Sequence, residues 1–138
     1  MKPMSKGKSK IRLLLVDDEV GYLKVLSKRL KRRNIEVIAA NTGQKAIQLF
    51  RRKDFDVAVV DLKMMDMDGI DVLDVLKKMD PYIEVIILTG HGSERAAREG
   101  IEKGAFDYLT KPCGLQNLVN TINAASAQRF KMEPNDST

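Results

Sequence analysis

Short apolar runs alternate along this chain with stretches whose apolar residues recur at intervals of three and four. The runs fall near 11–16, 35–40, 56–60, 83–88 and 105–109, with the length and composition of strands. Between them, Leu23, Leu26 and Leu30 keep helical spacing, as do Ala46, Ile47 and Phe50. Asp71 to Lys78 carries Val72, Leu73, Val75 and Leu76; Ser93 to Lys103 opens on an N-cap residue and carries Ala96, Ala97 and Ile101. Leu115, Leu118, Val119, Ile122 and Ala125 mark a last helix. This alternation predicts an α/β fold, a doubly wound sheet of five parallel strands with helices on both faces. The first and third runs are apolar throughout, as suits central strands covered on both sides.

Four of the five runs stop at a residue with chemistry. Ile11–Val16 runs into Asp17 and Asp18, Val57–Val60 into Asp61, Ile83–Leu88 into Thr89, and Ala105–Thr110 into Lys111 and Pro112; Ile35–Ala40 has no such endpoint. In an open parallel sheet the carboxyl ends of the strands face one crevice, where ligands bind. Two carboxylates held at about 4 Å repel by about 4 kcal/mol at an effective dielectric of about 20. A fold tolerates that if a cation or a shared proton sits among them. Oxygen-only ligands with open positions suit Mg²⁺.

Taken singly, each endpoint has an ordinary reading. Asp18 can cap a helix beginning near Glu19, Asp61 can end a strand, Thr89 can be a β-branched strand residue and Lys111 a surface lysine. Together they form a divalent-metal and phosphoryl site. Asp61 is its nucleophile. Thr89 and Lys111 hold the non-bridging phosphoryl oxygens, with positive charge from the metal and Lys111. The Lys111-Pro112 pair favours a tight turn and a cis bond, which aims Lys111 back at the pocket.

Composition narrows the setting. A chain of 138 residues fits one domain. The boundaries expected are a disordered basic arm over 1–10, a globular domain over 11–130 and a disordered tail over 131–138. The single Cys113 cannot form an internal disulfide or a zinc cluster. No apolar run approaches the roughly 20 residues of a membrane span. The first ten residues lack the apolar segment of a signal peptide, so a cytoplasmic protein is expected. The net charge of +5 gathers in the first ten residues and in Lys24, Lys28, Arg29, Lys31, Arg32 and Arg33. No nucleic-acid motif or interleaved aromatics accompany it, so it reads as a solvated helix face, and no direct nucleic-acid or membrane binding is expected.

Two phosphate- and metal-like signals fail. Gly7-Lys8-Ser9 ends like a phosphate-binding loop, but no strand precedes it and Lys2 stands where the earlier glycine belongs. Asp66-Met67-Asp68-Gly69 echoes a calcium loop, but Met64 replaces its first ligand and Val75 its closing glutamate. His91 is the only histidine, which makes a catalytic triad implausible.

Asp17-Asp18, the loop from Asp61 to Gly69, Thr89-Gly90-His91-Gly92 and the segment from Gly104 to Pro112 resemble, in content, order and spacing, the receiver domains of bacterial two-component response regulators. The resemblance covers roughly 11–129. It implies the flavodoxin-like strand order 2-1-3-4-5. It implies that Asp61 accepts phosphate from a sensor histidine kinase, a phosphotransfer protein or a small phosphodonor. Asp18 would bind Mg²⁺ directly and Asp17 through water, with the Lys63 backbone carbonyl and Asp61 completing the metal ligands. Thr89 and Lys111 would bind the phosphoryl oxygens, and Tyr108 would be the aromatic switch residue. The surface of helix 4, strand 5 and helix 5 would then change to control docking of a downstream effector or a second copy.

The chain departs from the family pattern at Met65, where many members have proline; methionine is expected to leave that loop looser. Lys63 and His91 occupy positions that tune dephosphorylation in the family. Apart from self-catalysed phosphoryl acceptance and loss, no enzyme activity is expected. The competing classes are a phosphoaspartate hydrolase, a flavin-binding domain and a degenerate receiver that only binds partners. The haloacid-dehalogenase type of hydrolase needs an aspartate where Lys63 stands. A flavin phosphate would be repelled by Asp17-Asp18-Glu19. The intact acidic set speaks against the degenerate receiver.

Overall fold

A computed structural model describes residues 10–90 and 92–134. The basic arm, apart from Lys10, the last four residues of the tail and His91 lie outside the described residues. The elements in order are β1 (Ile11–Val16), α1 (Val20–Lys31), β2 (Ile35–Ala40), α2 (Gly43–Arg52) and β3 (Val57–Asp61). They continue with α3 (Gly69–Met79), β4 (Glu84–Thr89), α4 (Glu94–Glu102), β5 (Asp107–Thr110) and α5 (Leu115–Met132). The five strands form one parallel sheet in the order β2-β1-β3-β4-β5.

Period-two alternation in the central strands sorts side chains onto two faces. Leu14, Val16, Ala58, Val60, Val85 and Ile87 meet Ala46 and Phe50 of α2 and Val72, Leu73 and Leu76 of α3. Leu13, Leu15, Val57, Val59, Ile86 and Leu88 meet Leu23, Leu26 and Leu30 of α1 and Leu118, Val119, Ile122 and Ala125 of α5. Each fully buried leucine or isoleucine contributes about 1.5–3 kcal/mol, so the sheet is held from both sides and its carboxyl ends are fixed relative to one another.

The elements differ from the sequence reading mainly at their ends. The third and fourth strands are each shifted by one residue and end on Asp61 and Thr89. The fifth starts at Asp107 rather than at residue 105, because Ala105 N–H still bonds the Gly100 carbonyl of α4; Phe106 N–H makes the first bond to β4, at the Val85 carbonyl. The third helix starts two residues early, at Gly69. Ser93 does precede α4, but its side chain makes no capping hydrogen bond.

Candidate functional site

The site is built where β1, β3 and β5 end. Asp17 follows β1 and extends its ladder, donating its N–H to Ala40 O at 3.1 Å. Its carboxylate, fully buried, accepts the Glu19 N–H at 2.9 Å. The helix-capping role open to Asp18 in the sequence is not filled by it: Glu19 is the N-cap of α1, with no side-chain capping bond, and the half-buried Asp18 accepts from the loop instead. Asp61 closes β3, paired with Leu88 of β4. Ligand oxygens of Asp17, Asp18 and Asp61 lie within 4.8 Å of one another.

Lys111 reaches back into this group. Its N–H bonds Thr89 O at 2.7 Å, prolonging the β4–β5 ladder, and the peptide bond to Pro112 is cis. Its Nζ donates to Asp17 Oδ2 at 2.7 Å and stands 3.4 Å from Asp61 Oδ1 and 3.8 Å from the exposed Glu19. The Tyr22 ring of α1 lies beneath the same ammonium, 4.6 Å from Nζ to centroid.

Gly69 is required by close approach. A Cβ there would stand 2.5 Å from Asp61 O and 2.9 Å from Leu62 Cα, both backbone atoms that cannot swing away. The first turn of α3 therefore packs directly on the end of β3.

The loop between β3 and α3 is pinned where the sequence suggested it would be loose. Met65, a residue 94% exposed, donates its N–H to Asp18 Oδ2 at 2.9 Å. A proline, having no N–H, could not make that bond. Asp66 accepts the N–H groups of Gly43 and Gln44 at 3.0 Å each, and these bonds to the start of α2 hold its carboxyl below the usual range.

Thr89 is fully buried at the end of β4, and its hydroxyl donates to Gly90 O at 3.3 Å. Tyr108 is half-buried on the edge strand β5 and packs on the cluster shared with α2 and α3. Lys63 is exposed, two residues past Asp61. Asp17, Asp18 and Asp61 therefore meet, with Lys111 against Asp17 and Asp61; Thr89 ends the neighbouring β4, Lys63 lies in the loop past Asp61, and Tyr108 lies on β5 two residues before Thr110.

Burial pushes the Asp61 carboxyl up to about 6; the Asp17 charge adds to that, and Lys111 only partly offsets it. Three carboxylates facing one ammonium leave the site short of positive charge, and every donor is oxygen. That set fits a magnesium ion, which Asp17, Asp18 and Asp61 would hold. Two pH effects follow for the metal-free protein. Below about pH 6 Asp61 carries a proton and cannot bind a cation, so Mg²⁺ affinity falls as pH drops through that value. Unfolded, the group ionises near 3.8, so stability falls as pH rises from there to about 6 and the full penalty is present above. Without metal, Asp61→Asn should melt above the wild type at pH 7.5 and level with it at pH 3.5. A difference in melting temperature independent of pH would mean that the Asp61 charge is not what weighs on the fold.

A family model described as the response regulator receiver domain matches residues 13–123. The transcriptional regulatory protein ZraR of Escherichia coli (strain K12) is 35% identical over 123 residues, 89% of this chain and 28% of ZraR. GlrR of the same strain is 38% identical over 84% of this chain and 26% of its own length. This chain thus spans about a quarter of these regulators. A response regulator receiver domain protein from Clostridium thermocellum superposes with a TM-score of 0.85 at 34% identity, covering 88% of this chain and 98% of that one.

Proposed function

This chain belongs to the response regulator receiver domain family, and on that premise we propose which residues work its switch. Receivers of two-component response regulators are phosphoryl-acceptor signalling switches, and this chain is one. Asp61 is the acceptor. An oxygen of its carboxylate attacks the phosphorus of a phosphohistidine on a sensor kinase or phosphotransfer protein. The phosphorus–nitrogen bond breaks and its electron pair stays on the imidazole. The single observation that carries this is the meeting of Asp17, Asp18 and Asp61 within 4.8 Å, with Lys111 Nζ 3.4 Å from Asp61.

Each residue has one task. Asp17 and Asp18 would hold Mg²⁺ beside Asp61, with the Lys63 carbonyl as a further ligand. The ion, when bound, supplies positive charge to the transferring phosphoryl oxygens. Lys111 binds one of those oxygens, and the Thr89 hydroxyl leaves Gly90 O to donate to another. Phosphorylation adds a charge of roughly −1.5 to −2 with new acceptor oxygens. Reversing a 1:99 equilibrium takes about 5.5 kcal/mol of differential binding, which bonds to Thr89, Lys111, the metal and backbone amides together approach. Tyr108 turns inward as Thr89 moves, and the surface of α4, β5 and α5 becomes the docking face for an effector or a second copy. Among the described residues no helix is long and apolar enough to cross a membrane, and we place the domain in the cytoplasm with its kinase.

The test is the response to beryllofluoride with Mg²⁺, which occupies the acceptor as a phosphoryl would. Tyr108 and Thr89 resonances should shift together with those of α4. A spectrum that moves only beside Asp61 would mean a site without a transmitted switch.

A further inference from the structure

We propose that Tyr22 is a positioning residue for phosphoryl transfer, its ring keeping the Lys111 ammonium beside Asp61 while Asp17 gives that ammonium up to a cation. The proposal rests on the roles assigned above to Asp61 and Lys111.

Lys111 ends a long, flexible side chain, and its shortest contact is to Asp17 at 2.7 Å. Asp17 is also one of the three carboxylates suited to a divalent ion. A carboxylate that shares its charge with such an ion holds an ammonium less strongly, and its strongest restraint on Lys111 then weakens. Glu19 is exposed and 3.8 Å away, too solvated to replace it. The Tyr22 ring is unaffected by that exchange. Nζ sits 4.6 Å from its centroid, within the roughly 6 Å over which a cation is drawn to an aromatic face. Burial raises the phenol above its ordinary 10.0, so the ring keeps its hydroxyl proton at neutral pH.

The ring is itself held in place. Tyr22 is half-buried on α1 and packs on the core cluster beneath that helix. It also lines a cavity of about 100 Å³ with Leu26, Cys113 and Leu118. It is fixed on a helix, whereas Lys111 stands on a connection between β5 and α5. A fixed ring under a mobile ammonium narrows the volume the charge explores before a phosphoryl group arrives.

The rival role is simple filling of the space between α1 and α5, and a variant series separates the two. Phosphorylation by acetyl phosphate with saturating Mg²⁺ is timed in wild type, Tyr22→Phe and Tyr22→Leu, and in the same three carrying Lys111→Met. Tyr22→Phe keeps the ring and should match wild type. Tyr22→Leu should be about fivefold slower at saturating phosphodonor. On Lys111→Met, Phe and Leu at position 22 should be indistinguishable. Tyr22→Phe as slow as Tyr22→Leu, or a Leu effect undiminished on Lys111→Met, would overturn the proposal. Tyr22→Met serves in the same comparison if Tyr22→Leu does not fold.

A second readout needs no phosphoryl transfer. The Lys111 methylene protons next to Nζ should be shifted by the ring in wild type and Tyr22→Phe with Mg²⁺ bound, and released in Tyr22→Leu. Equal shifts in all three would overturn the proposal. Wild-type protein that took up no phosphoryl group would instead overturn the function proposed above, while this readout would still decide where the ammonium sits.

Discussion

Incubated with fresh acetyl phosphate and Mg²⁺, the wild-type chain should gain one phosphoryl group, and Asp61→Asn none. Intact mass measures both. The expectation rests on charge and access together. Asp61 is held against Asp17 and Asp18 with Lys111, among the described residues, partly balancing them, and its carboxyl is raised to about 6. It is still ionised in most molecules at neutral pH, so it is available as a nucleophile. Asparagine keeps the shape but loses the anionic oxygen, so it cannot form the acyl phosphate. Omitting Mg²⁺ should also suppress the gain. An unchanged wild-type mass, or equal labelling of Asp61→Asn, would rule Asp61 out as the phosphoryl acceptor.

The second large effect lies at the other end of the sheet. Arg129 of α5 has a side chain only 8% exposed. Its Nη1 donates to Asp80 at 2.9 Å and its Nη2 to Glu133 at 3.2 Å, and its Nε stands 3.8 Å from Asp56. Asp56 in turn takes Arg12 at 2.8 Å. One guanidinium thus ties α5 to the end of α3 and to the entry of β3. Removing one partner of a buried pair typically costs about 3–5 kcal/mol. Asp80 and Glu133 are partly exposed and can recover water, which brings the expected cost of Arg129→Ala to about 2–3 kcal/mol. For a domain of this size that is a drop in melting temperature on the order of 10 °C. Arg129→Lys should retain part of the loss. A drop of only about 2 °C for alanine would mean that the pairs are decorative.

The two faces of the sheet were legible because their cause is local. Alternation within Leu13–Val16 and Val57–Val60 sorts side chains up and down wherever the strand goes, and both runs lie at the centre of the sheet. Asp17, Asp18, Asp61 and Lys111 were legible for a related reason, since residues that follow parallel strands must share one edge. Arg129 was not. In sequence it is one of 24 Lys and Arg residues, and only the approach of Asp56 and Asp80 from other elements buries it. Tyr22 looks like any aromatic that fills a helix face until Lys111 arrives over it from β5. The bond that pins the loop at Met65 was hidden because it belongs to the backbone, and side-chain identity says only whether the N–H exists.

That last bond alters what variation the rim can accept. At position 65 the side chain is exposed to solvent, while the amide hydrogen steadies the Asp18 carboxylate of the acidic cluster. Charged, aromatic and small residues should therefore all be neutral there. Proline, which has no amide hydrogen, is the exchange that would remove that bond.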